Sequence, residues 1–226
     1  TRPLIGSTSF HKGSCPVRNL FDQYSHPENR LTHALVVALA EDKKLLRSFV
    51  RWVTGRRAPS ARLEIVEQRL PGDPEVSESD AEKRGLPDAC IYDDDHWCLL
   101  IENKIAASLV NDQLRRHIRT AQKRGFETIN LLAIDVVEPR RKLPAGVVFR
   151  RWSKLYRWLT AQSTRSVWAK RVVQYLEVAE IRLPEEGYLK EGTLTTFSGI
   201  PFRGYELYNY PEAKRLIKLA MEELLT

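Results

Sequence analysis

Apolar residues recur at near-helical spacing through Leu31, Leu35, Leu39, Leu46 and Phe49, which predicts one long amphipathic helix over residues 27 to 53. Pro27 suits its first turn, where the N–H that proline lacks would have no intrahelical partner. Residues 61 to 70 (ARLEIVEQRL) alternate through Leu63 and Ile65, then slip through Val66 towards Leu70, the pattern of a strand with an irregularity. The stretch 71 to 86 is rich in Pro, Gly, Ser and acids and reads as a mobile surface loop. Two short strands follow at 87 to 93 (PDACIYD) and 97 to 103 (WCLLIEN), with Asp94, Asp95 and His96 in the turn between them.

A helix is expected over 109 to 124, apolar at Val110, Leu114, Ile118 and Ala121, basic at Arg115, Arg116, Arg119, Lys123 and Arg124, and stopped by Gly125. Strands at 128 to 134 (TINLLAI) and near 147 to 151 complete the order α-β-β-β-α-β-β. Beyond Ser153 the pattern turns helical at KLYRWLTA and again at 165 to 181, where Trp168, Val172, Tyr175, Leu176 and Ala179 form one stripe. These helices read as a covering layer. A Gly- and Pro-interrupted segment, 183 to 209, leads to a last helix at 211 to 225, apolar at Leu216, Ile217, Ala220 and Leu224. The expected fold class is α/β, an α+β mixed sheet, divided into an N-terminal extension (1–24), a core (25–152) and a helical C-terminal elaboration (153–226) packed on that core.

Composition narrows the setting. No apolar run approaches the roughly 18 to 20 residues that span a bilayer, and no basic-then-apolar leader opens the chain, so a cytoplasmic protein is expected. Cys15, Cys90 and Cys98 contain no CxxC pair, which supports neither a disulfide framework nor a Cys-rich zinc site. A formal charge of +7 and a pI near 9.4 favour a polyanionic partner. The chain opens at Thr1 and its one methionine is Met221, so it reads either as a trimmed chain or as one domain of something longer, with a homodimer or further domains as the open alternatives for its partners. The five histidines show no metal-ligand spacing, and Trp52, Trp97, Trp152, Trp158 and Trp168 read as core residues.

The candidate chemistry lies in Pro87-Asp88 followed by Glu102-Asn103-Lys104. Glu41 with Lys43, Asp42 with Lys44 and Glu212 with Lys214 share the acid-x-Lys spacing, but all three fall in expected helices; only Glu102 and Lys104 end an apolar strand. Hairpin geometry sharpens this. If Asp88 stands opposite Glu102, then Cys90 faces Leu100, Tyr92 faces Cys98 and Asp93 faces Trp97, leaving a permitted three-residue loop. The two carboxylates then stand roughly 5 Å apart on one face, with Lys104 on the same face by the period of two. Opposed like charges call for a counterion, and two carboxylates with waters and substrate phosphate are how Mg²⁺ is usually held.

With those residues in place, the stretch 25 to 152 resembles the PD-(D/E)xK nuclease superfamily, whose restriction-endonuclease-like core has the order αβββαβ. The resemblance implies that Asp88 and Glu102 bind Mg²⁺, for which Mn²⁺ substitutes, that the carbonyl of Asn103 completes the shell, and that Lys104 orients or deprotonates the attacking water. It further implies that Glu28 is the family's additional helical acid and Gln113 the glutamine of a Q-xxx-Y element, with His117 standing where the tyrosine would be. A helix-dipole role for Glu28 and a surface position for His117 are the competing structural readings. The implied activity is phosphodiester hydrolysis, with nucleic acid, and DNA in particular, as the partner. Arg115, Arg116, Arg119, Arg140, Arg141 and Lys142, with Arg150 and Arg151 beside Trp152, would bind backbone phosphates without reading sequence. The rival reading is a nucleic-acid-binding or interaction module with this fold and no turnover; a small-molecule hydrolase lacks any Ser-His-Asp or metal-histidine arrangement.

Overall fold

Asp42 breaks the first helical stretch in two. The computed structural model describes residues 24, 26–59, 62–72, 86–93, 96–190 and 193–195, and in it α1 (Pro27–Glu41) and α2 (Lys43–Thr54) meet at Asp42, which is extended at φ −121° and ψ 94°. Its carboxylate accepts the N–H groups of Lys44 and Leu45, both at 3.0 Å, capping α2. Apolar spacing could not show this, because both halves keep their buried stripe across the break; cap chemistry outweighs helix continuation.

Strands β1 (Glu64–Glu67), β2 (Ala89–Asp93), β3 (Trp97–Asn103), β4 (Thr128–Asp135) and β5 (Val147–Arg151) form one mixed sheet in that spatial order. The pairs β1–β2 and β2–β3 are antiparallel, whereas β3–β4 and β4–β5 are parallel. Helix α3 (Asn111–Lys123) makes the crossover that the parallel β3–β4 pair requires. Gly125, at φ +94°, follows the end of α3 as expected. Helices α4 (Trp152–Gln162) and α5 (Val167–Glu185) come after the sheet, so the chain is mixed α/β with five strands and five helices among the described residues. None of those helices is long and apolar enough to cross a membrane.

The strand period of two sorts the core into two layers. Cys90, Cys98, Leu100, Leu131 and Ala133 face α3 through Leu114 and Ala121. Ala89, Ile91, Leu99, Ile101, Leu132 and Ile134 face the larger layer of α1, α2, α4 and α5. Buried on both faces, β3 is apolar from Trp97 to Ile101 and turns polar only at its carboxyl end. Trp97 and Trp152 are buried, while Trp52, Trp158 and Trp168 pack partly exposed against the larger layer.

Several expectations shift at element ends. The first strand is shorter than 61 to 70, and Gln68, at φ +50°, marks the irregularity expected there. The C-terminal helices begin at Trp152, directly after β5, rather than beyond Ser153, because β5 leads into a helix without a loop. Cys90 and Cys98 are free thiols. The N-terminal extension before Tyr24, most of the 71 to 86 loop, Asp94 and Asp95, and the helix at 211 to 225 lie outside the described residues.

The cap also ties the layers together: the Ser166 hydroxyl donates to Asp42 Oδ2 at 2.6 Å and itself caps α5 by accepting the Ala169 N–H. Burial pushes the Asp42 carboxyl up, but the hydrogen bonds from Ser166, Leu45 and Lys44 outweigh it and hold the group below the usual carboxylate range. Asp42→Ala should therefore cost about 1–2 kcal/mol in urea unfolding at neutral pH. The difference from wild type should shrink as pH falls through the depressed value, where protonation removes the cap's charge.

Candidate active site

The observed β2–β3 register pairs Cys90 with Leu100, Tyr92 with Cys98 and Asp93 with Trp97, the register in which Asp88 stands opposite Glu102. Cys90 and Leu100 face α3. Alternation along the strands therefore puts Asp88, Glu102 and Lys104 on that same face. Asp88 sits just before β2, where its Oδ2 accepts the Asn103 N–H at 2.7 Å and its carbonyl accepts the Gln68 N–H at 2.9 Å. Lys104 lies one residue past β3, and its N–H continues the pairing by donating to the Ile134 carbonyl at 2.8 Å.

Side chains from the end of β3 and from α3 converge on Glu102, which is 1% exposed. Its Oε1 accepts from Lys104 Nζ at 2.9 Å and from Gln113 Nε2 at 2.6 Å, and its Oε2 lies 3.0 Å from His117 Nε2. Glu28 closes the other side: Oε2 lies 3.6 Å from Lys104 Nζ, while Oε1 accepts the N–H groups of Ile105 and Ala106 at 2.8 and 3.3 Å. Glu28 thus reaches the residues beyond β3 instead of capping its own helix. Asn103 is fully buried and knits the frame together: its Nδ2 donates to the Glu28 carbonyl at 2.9 Å, and its Oδ1 accepts the Trp152 indole N–H at 2.7 Å.

His117 is a correction. The reading as a surface helix residue fails, because α3 turns Leu114, His117 and Ala121 inwards and leaves Val110 53% exposed. His117 is 1% exposed, and its Nδ1 has no hydrogen-bond partner among the described residues. Gln113 and His117, one helical turn apart, fall on the same face and reach the same carboxylate. A polar residue at an inward helical position was the signal available in the sequence.

The charges do not balance. Three acids, Glu28, Asp88 and Glu102, surround the single ammonium of Lys104. Burial pushes the Asp88 carboxyl well above the usual range, and the charges of Glu102 and Glu28 add to the effect; Lys104 and the Asn103 N–H oppose it. Burial also acts against ionised Glu102, but the hydrogen bond from His117 and the charge of Lys104 overcome it and hold that carboxyl below its ordinary value. Desolvation would favour neutral Lys104, yet Glu102, Asp88 and Glu28 together keep it protonated and raise its pKa.

Asp135, which sequence reasoning missed, ends β4 beside the same group and is 6% exposed. Burial raises its pKa, the N–H groups of Val137, Val136 and Leu109 oppose the rise, and the charge of Glu28 adds to it. Its signal was positional: Asn103 and Asp135 end neighbouring parallel strands, and the carboxyl ends of such strands are where open α/β sheets place ligands.

Hard carboxylate oxygens with an excess of negative charge are donors suited to a divalent cation. In this structure Lys104 Nζ stands at the focus of the acids. Among the described residues no three His, Cys, Asp or Glu side chains are grouped as a ready-made metal cage. Mg²⁺ needs less, since one or two carboxylates with waters and substrate phosphates complete its octahedron. Asp88 and Glu102, with the Asn103 carbonyl, are the residues that would hold it.

Around the site the surface is basic. Arg115, Arg116 and Arg119 are exposed on α3, as are Arg140, Arg141 and Lys142 in the β4–β5 loop, and Asn111 Nδ2 joins helix and loop by donating to the Lys142 carbonyl at 3.0 Å. Arg115 pairs with Asp112 at 2.8 Å. Arg150 instead lies over Trp52, in the opposite layer. No protein-family model matches this chain, and no curated protein or solved structure matches it.

Because Asp88 has a raised folded-state pKa, its protonated form favours the native state, and stability falls as pH rises through that value. At neutral pH, Asp88→Asn should raise the melting temperature in EDTA, by about 2–4 °C for each kcal/mol of repulsion relieved. Mg²⁺ should raise the melting temperature of wild type and leave that of Asp88→Asn unchanged; thermal melts at pH 7 with and without the cation read both effects.

Proposed function

We propose that this protein is a metal-dependent nuclease of the PD-(D/E)xK type, hydrolysing phosphodiester bonds in DNA on a restriction-endonuclease-like core. The observation that carries this reading is the convergence of Glu28, Asp88, Glu102, Lys104 and Gln113 at one end of the sheet. The exposed arginines of α3 on the same side of the sheet support it. Mg²⁺, when bound, would supply a polarised phosphoryl oxygen and a more acidic bound water.

The roles of the chain's own residues follow from their environments. Lys104 is held as a cation, so it stabilises charge developing near the nucleophile and orients a water instead of removing its proton. Its three N–H donors are only partly engaged by Glu102 and Glu28, and the side chain keeps 14% of its surface open. Gln113 and His117 fix the Glu102 carboxylate, leaving the rotation of that group little freedom. Arg115, Arg116, Arg119, Arg140, Arg141 and Lys142 would attach the phosphate backbone.

A second reading, a nucleic-acid-binding module without turnover, is favoured by one observation. Lys104 already neutralises much of Glu102 and Glu28, so the acids are partly satisfied without a metal.

The readings separate by assay on DNA and RNA with Mg²⁺, Mn²⁺ or EDTA. Lys104→Ala and Glu102→Gln should each slow cleavage by at least about 100-fold, the scale of losing one positioned charge-stabilising group. Affinity measured in EDTA should stay within about twofold, because one cation among many contributes little to backbone binding. Arg115→Ala with Arg119→Ala should reverse this pattern, weakening affinity and flattening its dependence on salt while the bound complex is still cleaved. Folded wild-type protein that binds DNA or RNA in Mg²⁺ or Mn²⁺ and never cuts either would hand the assignment to the second reading.

A further inference from the structure

We infer that the outward face of α2, together with the Trp52–Trp158 stack beside it, is a second nucleic-acid-binding surface, separate from the acid cluster. Residues 43 to 57 contain Lys43, Lys44, Arg47, Arg51, Arg56 and Arg57 and no Asp or Glu. Those six cations nearly equal the formal +7 of the whole chain, so the local excess is far above what composition alone distributes. Lys44, Arg51, Arg56 and Arg57 are exposed, and α2 has no acid of its own at helical spacing to pair with its cations. A concentrated positive face of this kind attracts a polyanion through counterion release.

The aromatic residues beside this face select the kind of polyanion. Trp52, on α2, and Trp158, on α4, stack with centroids 5.3 Å apart and planes at 26°, and both remain half-exposed. Arg150, on β5, lies over Trp52 with its guanidinium carbon 5.4 Å from the ring centroid, and its Nη1 donates to the Phe149 carbonyl at 2.8 Å. A partly exposed aromatic stack beside exposed cations is a combination that grips nucleic acid, with bases against the ring surface left open and phosphates on the charges. A lipid surface fits poorly. Leu45, Leu46, Phe49, Val50 and Val53 are all buried in the core, so α2 has no free apolar face to insert into a bilayer.

The α2 face lies on the opposite side of the sheet from α3, so it can hold nucleic acid whether or not the acid cluster turns over. The test uses the full chain in EDTA, with fluorescein-labelled single-stranded and duplex oligonucleotides read by anisotropy across a salt series. Arg51→Glu/Arg56→Glu/Arg57→Glu should weaken binding at least about tenfold near physiological salt and flatten the log–log salt slope by about 2 to 3. The milder Arg51→Gln/Arg56→Gln, with an unchanged melting temperature, should weaken binding in the same direction, which separates lost contacts from lost folding. Trp52→Phe should reduce the quenching of tryptophan fluorescence on binding. Wild-type affinity in both arginine variants overturns the assignment. So does unchanged oligonucleotide binding alongside lost co-sedimentation with phosphatidylserine vesicles, which would make the face a membrane contact. Because EDTA silences metal-dependent cleavage, failure of the nuclease reading leaves these outcomes legible.

Discussion

The buried amide of Asn103 holds the site's frame together. Its oxygen takes the Trp152 indole N–H, its nitrogen serves the Glu28 carbonyl and approaches the Thr32 hydroxyl at 3.4 Å, and its main-chain N–H binds Asp88. One residue at the end of the central strand thereby fixes α1, α4 and the segment leading into β2. A buried amide left without these partners would cost roughly 1–3 kcal/mol for each lone donor or acceptor, so the frame forms complete or at considerable expense. Glu28 reaches Lys104 because its own carbonyl is anchored on the residue next to Lys104. The acids surround the ammonium through this scaffold, although their mutual repulsion alone would drive them apart.

That repulsion is tolerated because it is unevenly distributed. Glu102, tied to Gln113, His117 and Lys104, stays ionised, while Asp88, whose carboxylate accepts the neutral Asn103 N–H, takes most of the strain. Two carboxylates in one pocket with opposite tendencies are a common outcome when only one of them has strong donors. The surrounding core meets the expense: β3 is buried along its whole length, and apolar layers cover both faces of the sheet.

The hairpin was readable in the sequence because its rules are local. Period-two alternation and a short loop determine which residues of 87 to 93 stand opposite 97 to 103, and the end of the apolar run at Ile101 marks where β3 turns polar. The break at Asp42 was not readable, since the Ser166 hydroxyl that reinforces it lies 124 residues away. His117 resembled a surface residue for a similar reason: only the packed position of α3 brings it to Glu102. Asp135 needed knowledge that β4 runs parallel to β3, and strand order depends on the crossover, which no local pattern records. The local motif and the element order single out Glu28, Asp88, Glu102 and Gln113, but nothing local singles out Trp152 or Asp135.

The central strand pairs in opposite senses with its two neighbours, and this has a consequence for the order of assembly. The β2–β3 hairpin closes a short loop, so it can form early from contacts close in sequence. Asp88 and Glu102 come together within that hairpin, whereas Gln113 and His117 belong to the crossover that brings β4 alongside β3. Within the hairpin only Lys104 and the Asn103 N–H answer that acid pair, while ladder hydrogen bonds and apolar contacts hold the two strands together. Docking of α3 then adds Gln113 and His117 to Glu102, which couples a non-local pairing of the sheet, β3 with β4, to the assembly of the site itself.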